Sequence, residues 1–127
     1  MCLDIKKTAK IKTAKEDIIC YKYLIKRDDY LTTPFRYAEI KIGETYESTL
    51  ERCEYSSELH VVEEGLHSFA NLEDCDKRVC DCEDDADYEY HSLAKCVIPK
   101  GSTYYEGVYG RLKAYASDKI QYLEILK

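Results

Sequence analysis

The stretch DIICYKYLIK, residues 17–26, most constrains what this chain can become. Seven of its ten residues are Ile, Cys, Tyr or Leu, a density of β-branched and aromatic side chains that suits a pleated, buried strand. A second stretch, RYAEIKIGETYE (36–47), sets Tyr37, Glu39 and Lys41 against Ala38, Ile40 and Ile42. That alternation is the period of a strand with one wet face, and Gly43 supplies the turn after it. LHVVEEGLHSF (59–69) reads as two short strands separated by EEG, or as one strand bulged at Gly65. SLAKCVIPKGSTYYEG (92–107) reads as strand, Pro-Gly turn, strand, and KIQYLEIL as a terminal strand. STLERCEYSSE between them is polar and reads as a short helix or a loop.

One segment has a different period. After Asn71, a good N-cap, with Asp74 three residues on, the apolar positions Leu72, Cys75, Val79, Cys82 and Ala86 follow at steps of three and four. This predicts an amphipathic helix over about 71–86. The expected fold is therefore α+β: a twisted, mainly antiparallel or mixed sheet of about six short strands with one principal helix packed on it. Residues 1–15 are Lys-rich and without a period, and are expected as a basic arm before a single domain over 16–127.

Cys75 and Cys82 lie in the helical stripe, while Cys80 falls about 140° around the helix from Cys75. The spacings C-x₄-C and C-x-C, followed only by His91, differ from a zinc pair pattern. The stripe reads as core packing, with metal or redox use of the thiols as the alternatives. No cofactor and no metal are expected. The acids of DCEDDADYE (81–89) lack the central glycine of a calcium loop.

Charge is distributed unevenly. Residues 1–27 hold eight Lys/Arg against three acids, and the remaining hundred hold 11 against 22. An acidic body argues against direct nucleic-acid binding, which needs a basic face, and favours a basic protein partner. The 13 tyrosines suit an interface, because each joins an apolar ring to a wet hydroxyl. The expected partner-binding residues are Asp84, Asp85, Asp87, Tyr88, Tyr90, Tyr104, Tyr105 and Tyr109. YYEGVYGR (104–111) reads equally as a mobile Tyr-lined loop or as a hairpin whose glycines permit the turn.

The apolar runs are strand-length, which argues against membrane insertion. The N-terminus shows no apolar stretch after its lysines, so a cytoplasmic location is expected. His67, in GLHSF just before the helix cap, invites an anion-site reading as well as that of a histidine closing a strand. Phosphate-loop, dinucleotide, zinc-protease and nucleophile-elbow motifs are all missing from the sequence.

Taken in order, EDIICYKYL, EIKIGETY, GLHSFANLEDC, KCVIPKGSTYYEG and YASDKIQYLEIL resemble a set of small proteins from gut bacteria and their phages. The resemblance spans nearly the whole chain from about residue 16. It implies a compact α+β fold and a phage or mobile-element setting, and it assigns no activity. The order of elements also looks like the ADP-ribosyltransferase fold, which would make Tyr21, His67 and Glu106 the catalytic candidates. The H-G-T or R-G, S-T-S and Q/E-x-E signatures of those enzymes are not present. The leading expectation is a non-catalytic interaction protein, such as a phage-encoded modulator of a host nuclease complex. An NAD-binding transferase is the alternative.

Overall fold

The structure, a computed structural model, describes residues 3–33, 38–75 and 91–126. Within these residues the chain is nearly all sheet, and the expected α+β architecture is replaced by thirteen strands in one antiparallel sheet. They are β1 (Leu3–Lys6), β2 (Lys12–Thr13), β3 (Ile18–Lys26), β4 (Leu31–Thr32), β5 (Glu39–Ile40), β6 (Thr45–Glu47) and β7 (Glu51–Glu54). β8 (Leu59–Glu64), β9 (Leu66–Phe69), β10 (His91–Ile98), β11 (Thr103–Tyr109), β12 (Leu112–Ser117) and β13 (Lys119–Ile125) complete the set.

The helix expected over 71–86 is helical at 72–75 in the described residues; Val79, Cys82 and Ala86 lie outside them. Asn71 does begin that turn: its carbonyl accepts from the Cys75 amide, and its side-chain amide donates to Asp74 at 3.2 Å. Of the stripe's first two members, Cys75 is buried and Leu72 is exposed.

Strands were undercounted because the short ones carry little apolar signal of their own. ERCE becomes β7 only by pairing with β8, Cys53 opposite Val61 and Glu54 opposite His60. Strand formation there is decided by a neighbour rather than by propensity. The expected basic arm also enters the sheet. Its residues 3–6 form β1, paired with β8 on one side and β11 on the other, with Leu3 and Ile5 inaccessible to solvent.

The strand order is β6-β13-β10-β3-β9-β12-β11-β1-β8-β7, with β2 on β11 and the β4–β5 pair on β3. Two connections force this sheet to coil. β8 runs into β9 through the single residue Gly65, yet the two stand four places apart in the order. β6 and β7, the two ends of the order, are joined by residues 48–50 alone. Four Cα steps from Glu47 to Glu51 span at most about 15 Å, so the sheet's two edges meet on one side of the molecule.

Coiling creates two cores. On one face Leu3, Ile5, Tyr23, Val62, Phe69, Leu93, Ala114 and Ala116 pack together. On the other face Cys20, Leu24, Ala94, Cys96, Ile98, Ile120 and Tyr122 are covered by Ala14 and by Ile40 of β5.

Candidate functional site

Register places a row of unusual side chains on the second face. Glu106 is opposite Tyr115, and Tyr115 is opposite Ser68. The Tyr21–Phe69 pairing of β3 with β9 puts Lys22 next to Ser68, and Lys22 faces Ala94 across β10. Paired residues of neighbouring strands share a face, so Glu106, Tyr115, Ser68, Lys22 and Ala94 form one line across the sheet.

At the outer end of this line Glu106 is gripped by Lys12 and Lys113, each at 3.0 Å. The two ammonium groups hold its carboxyl below the usual range, and it raises both lysines in return. Lys113 also stands 5.9 Å above the Tyr115 ring, whose edge meets Tyr104 at 5.9 Å. Lys12, Thr13, Lys15, Asp17, Ile18 and Tyr104 border a shallow groove of about 630 Å³ beside this cluster.

Inward along the line the chemistry changes. Lys22 lies between Cys20 and Leu24 on the strand, and burial pushes its pKa down. The Cys20 and Cys96 thiols stand directly opposite each other on β3 and β10, both fully buried. Burial raises Cys20 to about 11 and Cys96 further. The Ser68 hydroxyl, fully buried, has no hydrogen-bond partner of ordinary geometry, although its looser contact with Cys20 lowers that thiol against the larger effect of burial. Among the described residues no cluster of His, Cys, Asp and Glu has the geometry to hold a metal ion.

The meeting of the sheet's edges makes a third feature. Between residues 44 and 64 there are seven glutamates and one cation, Arg52. Glu44, Glu47, Glu51, Glu54, Glu58 and Glu63 are exposed, while Glu64 accepts from the Thr49 hydroxyl at 2.7 Å. Arg52 is turned inward. It donates to the carbonyls of Lys7 at 2.9 Å, Lys6 at 3.4 Å and Ala9, and to His60 Nδ1 at 3.1 Å. Its guanidinium lies 5.5 Å over the Tyr105 ring. The seam is therefore anionic, with Tyr55, 74% exposed, at the tip of the β7–β8 hairpin.

The residues expected from sequence are scattered by this geometry. Tyr104 borders the groove, but Tyr105 is buried beneath Arg52, and Tyr109 packs edge-on against Phe69 at 6.1 Å. Asp84, Asp85, Asp87, Tyr88 and Tyr90, like Cys80 and Cys82, lie outside the described residues. Tyr21 and His67 belong to one face of the sheet and Glu106 to the other, so the sheet does not bring these three together. His67 is enclosed, its ring nitrogens 3.1 Å from the Gly65 carbonyl and 3.3 Å from that of Val62. Sequence reasoning missed Arg52, Lys22 and the glutamate seam. The only sequence signal was that 44–64 holds one cation among seven acids.

The fold defines the class: an all-antiparallel coiled sheet with a thiol-and-lysine face and an acidic seam. No family model, curated protein or solved structure matches the chain. Among the described residues no helix is long and apolar enough to cross a membrane.

Proposed function

We propose that this chain is a non-catalytic interaction protein whose acidic seam, with Tyr55 at its tip, occupies a basic surface on a partner macromolecule. The observation that carries the reading is the inward turn of Arg52, which leaves the exposed glutamates of 44–64 with no arginine among them. A row of carboxylates along a sheet edge presents charge much as a phosphate backbone does, so it fits a groove built for nucleic acid. Tyr55 supplies a large, amphipathic contact of the kind that anchors interfaces. Such a partner is a basic protein; in the particular reading it is a CRISPR-type nuclease complex of the host, met by a phage protein in the host cytoplasm.

The test is equilibrium binding to a purified CRISPR-type nuclease complex at increasing salt. Binding that weakens steeply from about 50 to 300 mM salt, and is lost in Glu51→Lys/Glu54→Lys and in Tyr55→Ala, supports the proposal. No binding at 50 mM salt removes the nuclease reading. Binding indifferent to both salt and the charge reversals removes the seam.

A further inference from the structure

β7 is the last strand in the order, and among the described residues it pairs with β8 alone. In an antiparallel pair, successive residues turn their main-chain groups alternately toward the neighbour and away from it. The Tyr55 amide donates to the Leu59 carbonyl at 3.1 Å, in the register that sets Cys53 opposite Val61. On the far side of β8 the Lys7 amide donates to the Glu58 carbonyl, also at 3.1 Å. His60 and Val62 therefore face β1, and Leu59 and Val61 face β7. Cys53 and Tyr55 are the residues bonded to β8, while Arg52 and Glu54 turn their N–H and C=O outward. Such an edge is a template for another strand.

The side chains say which strand it takes. Glu51 and Glu54 are exposed, and the Arg52 guanidinium is folded back onto the carbonyls of Lys7 and Ala9. Cys53 and Val61, opposite each other, are half-buried and give the middle of the edge an apolar contact. A second copy of the chain is a poor occupant, because it would bring its own row of glutamates against this one. A segment with cations at its two ends and apolar residues between them is complementary.

We propose that β7 is a strand-addition site for an extended basic segment of a partner protein. The segment runs antiparallel to β7, with cations opposite Glu54 and Glu51 and apolar residues opposite Cys53 and Arg52. Its main chain bonds to Arg52 and Glu54, which supplies affinity, and the spacing of its cations supplies preference. The inference rests on the acidic seam being an interface and adds the form of what that seam binds.

The test uses the wild-type chain and a fluorescent peptide, Thr-Lys-Val-Val-Lys-Thr, capped at both ends, with anisotropy read at about 50 mM salt. Two further peptides carry one N-methyl group each, on the first or on the second valine, and keep the same charge. In the proposed register the first valine lies opposite Cys53 and its amide points to solvent. The second lies opposite Arg52 and its amide bonds to β7. Methylation of the second valine is expected to weaken binding at least about tenfold, and methylation of the first by much less. Saturating unmodified peptide is expected to slow hydrogen exchange at the Arg52 and Glu54 amides at least about tenfold. Equal binding of the two methylated peptides, or unchanged exchange at both amides, overturns strand addition and leaves charge-driven docking of the seam in place. No binding of the unmodified peptide overturns it as well, and binding of the nuclease complex at the same salt then reports separately on the seam.

Discussion

A Cβ on Gly107 would lie 2.2 Å from the carbonyl oxygen of Asp4. Gly107 sits in the middle of β11, and the glycine that turns the chain is Gly110, with φ of +65°. YYEGVYGR is thus a hairpin whose first glycine serves close packing and whose second serves the turn. The missing side chain at 107 lets β1 lie against β11 with Leu3 and Ile5 in the core. Gly107→Ala is expected to destabilise the fold by about 3 kcal/mol or more, since the obstacle is backbone and cannot rotate away. Urea unfolding measures this. Gly110→Ala meets no atom within 4 Å and is expected to cost about 1 kcal/mol, through backbone strain alone.

His67 carries a pH dependence. Burial, the Lys22 charge and other local effects lower its pKa from 6.5 to about 4. The folded state therefore holds it neutral while the unfolded chain takes up a proton below about 6.5. Stability is expected to fall as pH drops from 6.5 to 4 and to lose nothing further from this residue below that. The full difference is about 3 kcal/mol as an upper bound. Urea midpoints between pH 4 and 7 for wild type and His67→Gln provide the check: the slope flattens in the variant.

Arg52 clasps the start of the chain to the β7–β8 hairpin through three backbone carbonyls and His60. Arg52→Ala is expected to cost about 2–4 kcal/mol, because it leaves acceptors unsatisfied and uncovers the Tyr105 ring. Arg52→Lys recovers only a minor part, since an ammonium cannot fork across the same acceptors. Hydrogen exchange over residues 3–9 reads the effect directly, rising first in that segment.

Raised pKa values make Cys20 and Cys96 poor nucleophiles. At pH 8 alkylation of both is expected to be at least about 100-fold slower in the native protein than in urea, from the loss of thiolate alone. Iodoacetamide labelling with mass spectrometry follows each site. A native rate for Cys20 close to the urea rate would place its sulfur at the surface.

Much of the sheet was legible in the residues themselves. The run around β3, the Pro-Gly turn between β10 and β11, and the terminal strand carry dense, β-branched or alternating patterns that need no partner to be recognised. β7 was not legible, because its four residues show no apolar alternation and owe their conformation to β8. The helical period from Leu72 meets helix at 72–75, and its later members Val79, Cys82 and Ala86 lie outside the described residues. The candidate sites were less legible still. An acid-rich stretch is visible in a sequence, but that Arg52 faces inward is not.

By itself, then, the order of residues determined which stretches favour extended backbone, where four positive-φ glycines permit special geometry, and that the chain is acidic beyond its first 27 residues. Tertiary structure alone decided that β6 and β7 meet at one seam, that Lys22 lies beside Ser68, and that Glu106 and His67 face opposite ways. The reason is physical. Strand preference is local, whereas register and coiling are set by side chains far apart in the chain that bury one another, and a slip of one residue would exchange the two faces.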